Sequence, residues 1–222
     1  MLKPAGFGTM GEDVFMADFE IDHYCGGIFQ TNGYLVRHEG KSWIFDAPEG
    51  IADWLEESGV RPDGLVLTHQ HHDHVLDAGK IQERFGCPLY AFAEPSEELT
   101  LSKRLELMMG MPCPIDPYTI DHLFAGQSEL ELGGLHLDLY HIPGHSPDSV
   151  CFRLHGEPVV IGGDVLFSGS IGRTDFPNGN HGQLISGIKE KLWPLPDETY
   201  VLPGHGPATT IGAEKANNPF LR

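Results

Sequence analysis

The chain has 222 residues and a formal charge of −18, from 14 Lys+Arg against 32 Asp+Glu. That acidic surplus argues against a nucleic-acid partner and against an anionic membrane surface. With 40% hydrophobic and only 21% charged residues, the chain is nonetheless globular, and its length predicts one domain over residues 1–222. The first fifteen residues, MLKPAGFGTMGEDVF, contain no apolar run of signal-peptide length. No stretch approaches the roughly 18 apolar residues of a membrane span, so the cytoplasm is the expected compartment. Cys25, Cys87, Cys113 and Cys151 form no CxxC pair and are expected to be buried free thiols.

In chain order, Tyr34–Arg37 and Ser42–Phe45 read as a hairpin around Glu39-Gly40-Lys41. Ile51–Ser58 has a helical pattern, and Gly64–Thr68 is a short apolar strand that runs straight into a histidine cluster. Leu76–Phe85 predicts a helix stopped by Gly86. Pro88–Phe92 predicts a strand, and Ser96–Met109 the longest helix. The prolines of Met111–Pro117 require a loop. Strands follow at Glu129–Leu132 and Leu135–Ile142, then a hairpin of Ser149–Leu154 with Pro158–Ile161. Gln183–Trp193 predicts a helix, Thr199–Leu202 a strand and Ile211–Ala216 a last short helix. Two batches of strands, each with its helices, fit two packed sheets covered by helices on their outer faces.

The 13 histidines invite a search for metal ligands. His69-Gln70-His71-His72-Asp73-His74 has the pattern HxHxDH at the point where a strand gives way to a loop. His69 and His71 can converge on one ion there, while Asp73 and His74, farther round the turn, can serve a second. Imidazole with carboxylate suits zinc, iron or manganese better than magnesium or calcium. His72 occupies the variable position and reads as solvent-facing or as a supporting residue. Three later positions share one grammar of apolar strand, small turn, then ligand: His145 in IPGHS, Asp164 in IGGD and His205 in LPGHG. Alone, each is an ordinary turn residue; beside HxHxDH they become the missing ligands.

These residues resemble those of the metallo-β-lactamase superfamily. Within it, GDVLFSGSIGRTDFPNG (Gly163–Gly179), PGHGPAT (Pro203–Thr209) and NNPFLR (Asn217–Arg222) resemble the glyoxalase II-like, hydroxyacylglutathione hydrolase-like branch. The resemblance implies a mixed α/β fold, the four-layer αββα sandwich, with a metal site at one edge of the paired sheets. It implies metal 1 on His69, His71 and His145, metal 2 on Asp73, His74 and His205, and Asp164 bridging both. The branch that uses a Cys ligand finds no match, because Asp164 stands where that ligand would. Two divalent ions are implied, zinc first, with iron or manganese as alternatives. Asp73 and Asp164 then carry the catalytic roles, and a metal-bridging hydroxide hydrolyses a small thioester of the S-lactoylglutathione type. Arg173 either anchors a substrate carboxylate or pairs with Asp175. Alternatives are a mononuclear-iron persulfide dioxygenase, for which GRTDF speaks, and a lactone or β-lactam hydrolase. Full-length glyoxalase II enzymes place a helical glutathione-binding domain after the last ligand, and with 17 residues beyond His205 that domain is not expected.

Overall fold

The computed structural model describes residues 19–222; the sequence reading of the N-terminal fifteen residues lies outside them. One mixed sheet runs in the order β1 (Glu20–Gly26), β2 (Thr31–His38), β3 (Lys41–Phe45), β4 (Gly64–Val66), β5 (Leu89–Ala91), β6 (His122–Leu123). The first three strands are antiparallel neighbours, and β3 to β6 are parallel. The second sheet contains β7 (Glu129–Leu132), β8 (Leu135–His141), β9 (Val150–Leu154), β10 (Val159–Gly163), β13 (Tyr200–Pro203) and β14 (Thr209–Thr210) as consecutive neighbours. A small hairpin, β11 (Leu166–Phe167) and β12 (Ser170–Ile171), lies apart from both.

Strand alternation builds the layers. Tyr34, Val36, Trp43, Phe45 and Val66 point inward and meet Leu137, Leu139, Phe152, Leu154 and Ile161 of the second sheet. Their neighbours Leu35, Ile44 and Leu65 point outward, under α1 (Ile51–Glu57) and α3 (Ala78–Phe85). Cys151, Val160 and Val201 do the same on the far side, under α6 (His181–Gly187) and α7 (Ile211–Asn217). Where both faces are covered, as in β4 and β10, the strands are continuous apolar runs, whereas the outer strands β7 and β8 alternate with one face exposed. The four layers are helix, sheet, sheet, helix, as the resemblance implies. Among the described residues no helix is long and apolar enough to cross a membrane.

Several elements depart from the sequence expectations. The long helix over Ser96–Met109 is two pieces, α4 (Glu97–Thr100) and α5 (Ser102–Met109), broken at Leu101 with φ 55°. The break turns Leu99 and Leu101 into the protein, whereas α5 buries nothing. The helix expected from Leu76 starts at Ala78, because Asp77 leaves helical geometry and its carboxylate accepts from the Gly50 and Ala52 amides at 2.8 and 3.1 Å. The residues before it form a separate turn, α2 (His72–Val75). The helix expected at Gln183 begins two residues earlier, with the Asn180 side chain accepting from the Gln183 amide, and continues as a π-helical turn over Ile188–Leu192. The expected buried thiols hold for Cys87 and Cys151; Cys25 is exposed on β1 and Cys113 is half-buried.

Phe152 sits at the centre of the interface between the sheets, edge-on to Phe45 and Phe124 at 5.5 and 5.6 Å between centroids. Replacing it by Ala leaves a cavity that neither sheet can close, and is expected to cost about 3–5 kcal/mol. Urea denaturation of Phe152→Ala against wild type measures this.

Candidate metal centre

Every predicted ligand comes from a strand end or the loop after it. His69 and His71 follow β4, Asp73 and His74 ride on α2, His145 follows β8, Asp164 follows β10 and His205 follows β13. The α2 turn is fixed to the end of β3, where the Ala47 amide donates to the His74 carbonyl at 2.7 Å and the Asp77 amide to the Ala47 carbonyl at 2.9 Å. The structure brings all seven side chains together. His69, His71 and His145 form one group whose ligand atoms lie within 4.8 Å of one another, and Asp73, His74 and His205 form another. Asp164 stands between them: its Oδ2 is 3.4 Å from both His145 Nε2 and His205 Nε2, and its Oδ1 is 3.4 Å from His74 Nε2.

Orphaned polar atoms show that this cluster fits a cation. His69 Nε2, His74 Nε2, His145 Nε2 and Asp164 Oδ1 are all buried without a hydrogen-bond partner, a costly condition unless something else satisfies them. The other ring nitrogens are engaged, which fixes the tautomers. His74 Nδ1 donates to Asp46 Oδ2 at 2.8 Å, His145 Nδ1 to the Arg173 carbonyl at 2.8 Å, and His205 Nδ1 to the Phe29 carbonyl at 3.1 Å. The Thr68 hydroxyl gives its proton to Asp46 at 2.7 Å, so it accepts from His69 Nδ1 at 3.1 Å. His69, His74 and His145 thereby turn an unpartnered Nε2 to one place, and His205 turns its Nε2 toward Asp73 and Asp164, the arrangement metal-binding histidines require.

The electrostatics agree. Burial, reinforced by neighbouring imidazoles, drives the His69 pKa well below its ordinary value, and burial lowers His71 to about 3 and His145 to a lesser degree. Neutral imidazoles are the ligating form. Burial also opposes charge on His74 and His205, but there the carboxylates win. Asp73, Asp164 and Asp46 hold His74 well above its ordinary value, and Asp164 and Asp73 raise His205 to about 10. Burial alone would raise Asp73 and Asp164, yet His74 and His205 hold both below the usual carboxylate range. The carboxylates of the second group thus favour positive charge there.

Three contributors escape the sequence pattern. Asp46 accepts from the Thr68 amide at 2.8 Å as well as from His74 and the Thr68 hydroxyl, and it adopts φ 60° to do so. Its signal was present, since Trp43-Ile44-Phe45-Asp46 has the same grammar of strand then acid as Ile161–Asp164. Thr31 donates to Asp73 Oδ2 at 2.6 Å, and Asn32 anchors the His205 loop through the Pro203 and Gly206 carbonyls, 2.9 Å each. Neither has a sequence signature. His72 is buried, with Nε2 3.0 Å from the Cys113 carbonyl, and ties α2 to the proline-rich loop after α5. The Arg173 side chain pairs with Asp175 through two 2.7 Å bonds, while its backbone carbonyl orients His145.

The family profile described as "Metallo-beta-lactamase superfamily" matches residues 26–205. Hydroxyacylglutathione hydrolase GloC of Haemophilus influenzae is 40% identical over 199 residues, 87% of this chain and 93% of its own. Among solved structures, the BLEG-1 B3 metallo-β-lactamase superposes with a TM-score of 0.83 at 37% identity, covering 90% of this chain and 99% of that one. TTHA1623, in a di-iron-bound form, does so with a TM-score of 0.76 at 33% identity, covering 90% and 100%.

Two substitutions test the centre. Gly204 lies so close to it that a Cβ would overlap Asp164 Oδ1 and come within 2.7 Å of His74 Cε1. Gly204→Ala is therefore expected to lower bound metal, measured by elemental analysis, while circular dichroism stays native. Asp46→Asn removes the carboxylate that orients His74 and is expected to weaken metal affinity about 10–100-fold, read by competition with a chromogenic chelator.

Proposed function

The chain belongs to the metallo-β-lactamase superfamily and is a metallo-hydrolase of it, and from that premise we propose that it hydrolyses a small thioester of the hydroxyacylglutathione type. The observation that carries this reading is the Asp164 carboxylate held between two complete ligand groups, His69/His71/His145 and Asp73/His74/His205. The likeness to the Haemophilus hydroxyacylglutathione hydrolase supports the choice of substrate. Divalent ions, zinc first, would be held by these seven side chains, and would supply Lewis acidity and a water of near-neutral pKa.

The chain's own groups do the rest. Asp73 is kept ionised by His74 and His205, and its Oδ2 already accepts from Thr31. Its carboxylate is placed to take a hydrogen bond from the attacking water and so to orient it. Asp164 and the Nε2 atoms facing it fix the distance between the two ligand groups. A thiolate departs without a proton donor, which suits a site built of imidazoles and carboxylates. The cleft that opens beside Asp73, about 420 Å³, is walled by Ile28, Phe29, Met109 and Met111 and gives an acyl group an apolar seat.

Purified protein loaded with zinc is expected to cleave S-lactoylglutathione, followed by thiol release. Dipicolinate should abolish the activity and added zinc restore it. Cleavage of a β-lactam or a lactone with no thioester cleavage, or oxygen uptake with glutathione persulfide, would overturn the reading.

A further inference from the structure

Beyond its thioester carbon, a glutathione ester carries free carboxylates, and a chain of charge −18 must hold them against its own field. The cleft beside Asp73 is unsuited to them. Glu49 and Asp116 line it together with its apolar walls. Its one Lys or Arg among the described lining residues, Lys80, has Nζ 2.7 Å from Asp77 Oδ1.

The His71 and His145 side differs. There the half-buried Phe176 ring stands edge-on to both imidazoles, with centroids 5.5 and 6.4 Å away. Two guanidinium groups lie over that same ring, Arg173 at 4.2 Å and Arg104 at 6.0 Å from its centroid. Arg173 holds Asp175 with one donor edge, Nε and Nη2. Arg104 is exposed on α5 and, among the described residues, has neither an ion-pair nor a hydrogen-bond partner. The same helix lines the apolar cleft with Leu105 and Met109, so α5 borders the seat for an acyl group and carries a guanidinium whose nearby carboxylate, Asp175, is already bound by Arg173.

We propose that Arg104 is a specificity-determining residue that binds a free carboxylate of the substrate's thiol carrier, at the Phe176 edge of the metal cluster. The inference rests on the thioesterase reading above. A guanidinium fork matches a carboxylate bidentately, and the aromatic face beneath it holds the plane in place before substrate arrives. The Phe176 ring lies beside both Arg104 and His71, 6.0 and 5.5 Å from its centroid, so the guanidinium stands at the same edge of the cluster as the His71 ligand group.

The test uses the metal-loaded, full-length protein and S-methylglutathione, with its diethyl ester as the carboxylate-free probe, both read by titration calorimetry. Arg104→Gln is expected to weaken S-methylglutathione binding about tenfold, the scale of one charge-assisted hydrogen bond, and Arg104→Lys to recover part of the loss. Lys189→Gln removes an exposed charge on the π-helical turn and is expected to change nothing. Wild type should bind the diester about tenfold more weakly than the diacid, and Arg104→Gln should bind the two alike, so that the two losses are not additive. With S-lactoylglutathione the variant should raise KM and keep kcat. Additive losses, an unchanged affinity in Arg104→Gln, a fall in kcat without a change in KM, or no binding of S-methylglutathione by wild type would each overturn the proposal. Binding without turnover would overturn the thioesterase reading alone and leave Arg104 in place.

Discussion

The Asp164 carboxylate is buried among imidazoles drawn from both sheets, and the rest of the site is arranged to make that burial tolerable. An isolated charge in such a place is expensive, and removing its partners leaves the full desolvation penalty behind. His74, His145 and His205 surround it at 3.4 Å. Their outer nitrogens are in turn held by Asp46 and by the Arg173 and Phe29 carbonyls. Each supporting contact fixes a tautomer, and each fixed tautomer leaves one lone pair aimed at the same small volume. Four unpartnered buried polar atoms make the site well matched to cations.

That convergence needs two sheets held in register at one edge. The hydrophobic contact between them, with Phe45, Phe124 and Phe152 at its centre, sets their spacing but is not directional. Direction comes from the polar stitching at the rim. The Asn32 amide donates to the Gly204 carbonyl and the Gly204 amide to the Gly163 carbonyl, 2.8 Å each, so β2, the His205 loop and the end of β10 are joined in sequence. The Val150 amide donates to the Thr68 carbonyl at 2.9 Å and ties the His69 strand to the second sheet. Gly163 takes φ 50° with the Thr68 side chain packed where a Cβ would stand. Small residues at these turns let loops from opposite sheets approach closely enough to share a ligand.

The metal centre and the surface that faces a substrate are built differently. The seven side chains of the cluster are buried or half-buried on strand ends and the short α2 turn, whereas α5 buries none of its residues and presents Leu107, Met108 and Met109 to solvent. A rigid centre with an adaptable edge fits one hydrolytic chemistry serving different substrates across a superfamily. Methionines conform to varied apolar groups, while a guanidinium over an aromatic ring discriminates by charge.

The sequence by itself determined most strands of the core, the layer arrangement and the seven side chains that the fold brings together. Those signals are local: apolar runs of strand length, and His or Asp placed just after them. Even the family resemblance rests on such short segments. Structure was required for what depends on distance through space. Leu101 breaks the expected long helix because the folded core claims Leu99 and Leu101, a demand that helix propensity cannot register. β1 pairs along its whole length with β2, although its own residues carry no strong strand pattern. Thr31 and Asn32 matter only because the start of β2 lies beside residues 42 and 171 positions away, and Arg104 because α5 packs near Phe176. The candidate ligands are legible in residue type and local spacing. The tautomer, charge and orientation of each ligand are set by partners distant in the chain, and only the folded arrangement brings those partners within hydrogen-bonding range.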